Sequence, residues 1–521
     1  MESSRDVSMK LSIQEGFLNS KVLTEKWRLQ SFLVLGTESG AYKPGNKDIR
    51  RKEVNSIESL IDLGDGPDVV KTICLTNKAG RGCHRLPVMY ALALCTRSTD
   101  SITKEAAYAA LQEICPEPSD LLTFVMFCEM VSGGTGWGRA QRRAISDWYN
   151  SFKDRPLELA EGVTKERSSG QWTHKDIVRL SHVKPVSAFV QLIIRYITKG
   201  LVEAKKLPSP VDPDQAKQWQ GILRYFEAVE QTRQHTGSME VEGKLDIIRE
   251  HRLEPAHLSV ALLRSPLVWN VLLQHIPLNL VIQNISKVDD TPDQKTVLER
   301  LEDENELQKA HVKPFEILIA RKETKNENVR TTLARSFEIC VRHVKHTDKK
   351  YSVIMAVDGK LDTDLHGTKS GTVKEAIATT AITIARVTHP ESEIVTYPAG
   401  KEKTKLDIPK TNALKYLYEH AQLNGTNATF VKDVENALRL KDAVVVLMHS
   451  PPDIFKKRLS SLFPRKVSTR LVVVNFDKDD DTVINSNNPF LLNVIGFDGN
   501  TIEAIMRFVE RHENTALNTG I

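Results

Sequence analysis

From Glu53 to Lys322 apolar residues recur at spacings of three and four, with little sustained alternation, a pattern in which a helix buries one face and a strand does not. The clearest runs are Leu86 to Cys95, Lys104 to Cys115, Leu121 to Val131, Gly138 to Phe152, Val186 to Ala204, Asp214 to Gln234 and Leu267 to Ile276. Proline or glycine separates them, at Pro116, Pro118, Gly133, Gly134, Pro156, Pro185, Pro208, Pro210, Pro266, Pro277 and Pro314. Short helices joined by tight turns must cover one another, as in an α-solenoid. No fixed period repeats, so degenerate HEAT-like pairs fit better than a tetratricopeptide or ankyrin array.

After the charged linker Arg342 to Lys350 the texture changes. Strands are expected over Ser352 to Asp358, Glu393 to Ala399, Ala443 to His449, Arg470 to Phe476 and Leu491 to Phe497. Helices fall between or after them, at Gly371 to Val387, Pro409 to Leu423, Phe430 to Leu440, Asp453 to Leu462 and Thr501 to His512. Apolar strands alternating with helices predict a parallel sheet covered on both faces. The expected fold class is therefore mostly α: a helical-repeat region over residues 1–345, then a doubly wound α/β domain over residues 351–521.

Net charge is only +5, because 72 basic residues nearly balance 67 acidic ones; where the charge sits matters more. Met1 to Ser20 has no apolar core that reads as a signal peptide, and nowhere is there the run of ~18 apolar residues that spans a bilayer. Cys74, Cys83, Cys95, Cys115, Cys128 and Cys340 form no C-x-x-C pair. They are expected to be reduced thiols of a cytoplasmic or nuclear protein, neither zinc ligands nor a disulfide framework.

The stretch Thr135 to Pro185 holds ten Lys or Arg against six Asp or Glu, and three of the six tryptophans, Trp137, Trp148 and Trp172. On a helical wheel Ala140, Ala144, Ile145, Trp148, Tyr149 and Phe152 share one side, while Arg139, Arg142 and Arg143 point away. Three guanidiniums grouped in this way suit phosphate; a solvated basic face is the plainer alternative. A second helix follows, opened by a capping box of Thr173 with Asp176 and running to Val183. On it Lys175, Arg179 and His182 form one stripe, with Lys165 and Arg167 just before and Lys184 just after. Two adjacent cationic helices are an expected footprint for nucleic acid, and His182 reads equally as a surface histidine or a base-stacking group. A helical scaffold that binds proteins and not RNA remains the second reading.

The loop Gly133-Gly134-Thr135-Gly136-Trp137-Gly138 follows no strand, so it is no dinucleotide fingerprint, and G-x-x-x-x-G-K-[ST] is absent. Asp358 ends the first strand of the second domain, where open α/β sheets bind ligands, yet no glycine-rich turn follows. G-x-S-x-G and H-E-x-x-H are absent too. The expectation is a binding protein without catalytic residues, not an enzyme.

Several segments carry a resemblance. They are Arg28 to Tyr42 (RLQSFLVLGTESGAY), Trp137 to Asn150 (WGRAQRRAISDWYN), Trp172 to Pro185 (WTHKDIVRLSHVKP) and Arg195 to Gly200 (RYITKG), with weaker echoes in Glu250 to Leu253 and Lys313 to Ala320. Together they resemble the Ro ribonucleoprotein family and its TROVE module, from about Glu25 to Arg321 and more faintly beyond. The resemblance implies a ring of HEAT-like helical repeats closed by a von Willebrand factor A-like domain. It also implies binding of small noncoding RNAs: Y-like RNA on the outer surface and single-stranded 3′ ends of misfolded RNA in the central hole, as part of RNA quality control.

By position, Lys165 and His182 match family residues that contact RNA, and Arg139 to Arg143 match its basic helix. A second basic position of the Lys165 segment is Ser169 here, with Arg167 as the substitute. The family's C-terminal domain carries a metal site needing Asp-x-Ser-x-Ser, a Thr and a later Asp. This chain has Asp358-Gly-Lys360-Leu-Asp362, with Thr426 in place and His449 at the final aspartate. A lysine ammonium repels a divalent cation that wants oxygen ligands, so no metal and no other cofactor is expected.

Overall fold

The computed structural model describes residues 22–510 except 23, 45–48, 50–53, 81, 135, 166–167, 170, 236–240, 358–360, 366–367, 369, 398–402, 421–429, 450–451, 463–468, 478–487 and 489. Among the described residues there are nine strands: β1 (Ala41–Tyr42), β2 (Ser168–Ser169), β3 (Trp172–Thr173), β4 (Tyr351–Ala356), β5 (Glu393–Thr396), β6 (Thr404–Leu406), β7 (Ala443–Met448), β8 (Arg470–Asn475) and β9 (Leu491–Ile495). The remaining regular structure is helical, so the chain is mostly α with one substantial sheet, as expected. It packs as two compact units. One takes the described residues up to Val34 and those of Ile49–Ile276, the other those of Leu35–Asp48 and Pro277–Ile521.

At the centre of the first unit lies the helix Leu86–Thr96, of which every residue from Pro87 to Thr96 is buried. A helix apolar all round can only sit inside other helices. The ring of Tyr90 meets Phe32 and Phe127 edge to face, at 6.1 and 5.3 Å between centroids. Phe127 belongs to Pro118–Ser132, a helix that starts at a proline and stops at Gly133, whose φ of 59° only glycine adopts freely.

Two of the expected helices are broken. Lys104 to Cys115 divides into Ser101–Ala109 and Leu111–Ile114, and Val186 to Ala204 divides into Ala188–Lys199 and Leu201–Ala204. In the second case Gly200 takes φ 83° and ψ 177°, outside the helical region, so the apolar periodicity continues across a break in the backbone.

The second unit is built on a seven-stranded sheet of order β1-β9-β8-β7-β4-β5-β6. All neighbours are parallel except β5 and β6. β4, β7, β8 and β9 are buried along their whole length, which is why they read as unbroken apolar runs. One face packs Ile354, Val395, Val446 and Val473 with Phe430 of the helix Phe430–Leu440 and with Phe455. Each expected strand and helix of this unit has its counterpart: Phe430–Leu440 and Asp453–Leu462 keep their expected bounds and the others differ by a few residues at their ends, with Asp358, Ala399 and the last residues of the expected helices Pro409 to Leu423 and Thr501 to His512 lying outside the described residues. The short elements β1 and β6 were not anticipated: two or three residues carry no period. β1 pairs Ala41 with Asn493 and Tyr42 with Val494, so a segment from early in the chain forms one edge of a sheet otherwise made by the C-terminal third. The helices Pro314–Glu323 and Glu327–His343 pack on Val373–Val387 of the same unit. Among the described residues no helix is long and apolar enough to cross a membrane.

Candidate nucleic-acid interface

The basic stretch folds into the helices Arg139–Asn150, Pro156–Lys165 and His174–Ser181, with β2 and β3 as a small antiparallel hairpin that pairs Ser169 with Trp172. On the first helix Ile145, Trp148 and Tyr149 point inward and Arg139, Arg142 and Arg143 outward, as the wheel predicts. Trp148 is anchored by its indole N–H, which donates to the carbonyl of Cys115 at 2.6 Å. Two positions depart from the wheel. Ala140 is exposed, and Gln141 is buried at 1% exposure: the inward face is turned by one residue at its first turn, so a polar amide takes the place expected of a methyl group.

The second helix opens at the predicted capping box. The Asp176 N–H donates to Thr173 Oγ1 at 3.2 Å, and the Thr173 N–H donates to the Asp176 carboxylate at 3.3 Å. His174, Ile177, Val178 and Ser181 are buried, while Lys175 and Arg179 are exposed. The helix ends at Ser181, two residues earlier than expected. His182 follows in the left-handed region, φ 51° and ψ 47°, so it is exposed but stands off the helical stripe of Lys175 and Arg179 rather than on it. A left-handed residue interrupts the regular rotation that a stripe requires.

Two interactions lock these helices together. The Tyr149 hydroxyl and Nδ1 of His174 share a hydrogen bond at 2.8 Å inside the core. Burial holds that imidazole neutral, its pKa pushed down to about 3, and raises the pKa of the Tyr149 phenol. At the end of the first helix the Asn150 side chain donates to the carbonyl of Lys184 at 3.0 Å and accepts from the Val186 N–H at 3.1 Å. The segment bearing Lys184 is thereby tied to the helix bearing the arginines. Periodicity carries no trace of Asn150 in that role.

The cations differ in how far they are already satisfied. Arg143 faces Asp147 at 3.7 Å, but both are largely exposed, and such a pair holds little energy. Lys165 is paired with Glu254 at 2.7 Å. Beneath it the Thr164, Tyr225 and His257 side chains share buried hydrogen bonds, with Tyr225 Oη 2.9 Å from Thr164 Oγ1 and 3.1 Å from His257 Nε2. Arg139, Arg142, Lys175, Arg179 and Lys184 are exposed, and among the described residues none has a carboxylate within ion-pair reach. Arg167 lies outside the described residues.

In the second unit Asp362 is exposed in a turn, and His449, just past β7, sets its ring edge-on to Phe476 at 6.4 Å between centroids. Asp358, Lys360 and Thr426 lie outside the described residues. Among the described residues no three His, Cys, Asp or Glu side chains are grouped as metal ligands. Cys74 is half-buried and the other five cysteines are buried, all as free thiols.

Comparison with known proteins bears on the domain, the sequence and the fold. Residues 22–266, just under half of the chain, match the TROVE domain family. The RNA-binding protein RO60 of Caenorhabditis elegans is 27% identical over 361 residues, covering 57% of this chain and 56% of that protein. The match therefore spans about half the length of this relative. The crystal structure of the Deinococcus radiodurans RO (RSR) protein shares the fold with a TM-score of 0.77, covering 94% of this chain and 99% of that one at 20% identity. Domain, relative and fold each liken the chain to Ro proteins.

Proposed function

We propose that this chain binds RNA through the exposed face of its two basic helices, and that it does so without turnover. The observation that carries this reading is the set Arg139, Arg142, Lys175, Arg179 and Lys184: solvent-exposed, without carboxylate partners among the described residues, and borne on segments that Tyr149 and Asn150 bind together. A polyanion meets such side chains with no internal ion pair to break, and the counterions it releases supply the affinity. The relative named for RNA binding supports the same reading. The finer proposal is a role in small cytoplasmic ribonucleoproteins that hold Y-like noncoding RNA and the 3′ ends of misfolded noncoding RNA for quality control, with no metal or other cofactor.

Replacing Arg142, Arg143, Lys175 and Arg179 together by Glu tests the proposal, since all four are exposed and the core beneath them stays intact. Binding to a structured RNA with a single-stranded tail should be lost at moderate salt. Unchanged binding removes this surface from the function. Ultraviolet crosslinking in cells that returns only background RNA would favour the alternative, a helical scaffold for proteins.

A further inference from the structure

Trp137 and Trp172 are 35 residues apart in sequence, yet their rings lie 5.8 Å apart between centroids with their planes inclined by 35°. Each stands directly ahead of a basic helix. Trp137 precedes Gly138 and Arg139, and Trp172, in β3, precedes the Thr173 cap and Lys175. Both rings are only partly buried, unlike Trp148, which is enclosed. Two partly exposed indoles in contact at the start of two cationic helices need a reason, because packing alone favours enclosing them.

The geometry also fixes one ring in place. The Trp137 indole N–H donates to the Glu129 carboxylate at 2.8 Å, Arg97 lies 3.7 Å from that carboxylate, and Arg97 donates to the carbonyl of Gly136 at 3.3 Å. The Trp137 ring is thus held by a carboxylate, which a guanidinium holds in turn. At Trp172 no hydrogen-bond partner of the indole N–H is found among the described residues, so that group remains available to a base edge. With ring centroids 5.8 Å apart there is no room for a base between the two indoles, so a base can lie only against the partly exposed remainder of the pair.

We propose that Trp137 and Trp172 form a stacking platform for an unpaired base, with Arg139 and Lys175 engaging the adjoining phosphates. This rests on the RNA-binding reading and adds to it the two side chains that would hold an unpaired base, since a duplex keeps its base faces covered. Aromatic stacking is tolerant of sequence, so the platform favours single-stranded tails without reading them.

The test compares an RNA hairpin bearing a short oligoadenylate 3′ tail with the same hairpin made blunt, for the wild-type chain and for Trp172→Leu and Trp172→Phe. The wild type should prefer the tailed RNA. Trp172→Leu should weaken the tailed RNA about tenfold, within the range found for losing one stacked base, and leave the blunt hairpin unchanged. Trp172→Phe, which keeps an aromatic face, should restore most of the preference. Equal wild-type affinity for the two RNAs overturns the platform and leaves the RNA-binding reading standing, whereas binding of neither overturns both. A Trp172→Leu variant that loses both RNAs equally, with a lowered melting temperature, shows that the indole pair only holds the helices together and overturns the proposal.

Discussion

The hydroxyl of Tyr149 and Nδ1 of His174 lie 2.8 Å apart in the core between the two basic helices, and burial keeps the imidazole neutral. In the unfolded chain a histidine takes up a proton below about pH 6.5, but in the folded state His174 resists it down to about pH 3. Between these values the unfolded state binds more protons. The stabilisation is therefore complete above the unfolded value and is lost as pH falls. The slope is about 1.4 kcal/mol per pH unit, giving a loss of about 2 kcal/mol between pH 7 and pH 5. Denaturant melts of the wild type and of His174→Gln measure it: the variant should be less stable at neutral pH and should show a flatter profile. Parallel profiles would sink the assignment.

Salt dependence reports the number of phosphates engaged. Neutralising Arg142, Lys175 or Arg179 singly with Gln should make the log–log slope of affinity against salt shallower by roughly 0.7 to 0.9 for each phosphate that is no longer neutralised. A slope left unaltered by all three replacements would show that none of these side chains meets a phosphate.

Lys165 is occupied by Glu254 at 2.7 Å, so in the free protein its charge is partly spent. Glu254→Gln keeps an acceptor at the start of the Pro255–His257 turn and releases the ammonium. RNA affinity should rise by less than about fivefold, as befits a half-exposed pair, with the melting temperature little changed. Titration at fixed ionic strength decides it; weaker binding would mean that the carboxylate positions Lys165 for its ligand.

Tyr42 is fully buried in β1, and its hydroxyl donates to both carboxylate oxygens of Asp498 at 3.1 Å. Asp498 also accepts from the Asn500 N–H and the Thr501 hydroxyl where the last helix begins. Tyr42→Phe removes one charge-assisted bond and should cost about 1.5 to 3 kcal/mol. Chemical denaturation checks the loss. Hydrogen exchange should speed up along β9, the strand beside β1, and a local effect elsewhere would contradict the pairing.

Much of this architecture was legible beforehand because burial imposes a period. Phe430–Leu440 and Asp453–Leu462 appear at their expected bounds, and β4, β7, β8 and β9 within a few residues of theirs, since a strand buried on both faces must be apolar throughout. The Thr173 and Asp176 cap was equally plain, because its hydrogen bonds join residues three apart. Ala140 and His182 were misplaced for one shared reason. A helical wheel assumes unbroken rotation, whereas the first turn of one helix is set by its neighbours and the last turn of the other ends in a left-handed residue.

Sequence alone determined that short helices must cover one another, that a parallel sheet must follow, and that cations cluster between Arg139 and Lys184. Only the tertiary structure decided which of those cations are free, that Asn150 ties Lys184 to the first helix, that Trp137 meets Trp172, and that Tyr42 closes a sheet edge built from residues hundreds of positions away. The physical reason is range. Periodicity and capping act within a few residues along the chain, while ion pairs, ring stacking and strand pairing depend on distances that exist only once the chain has folded.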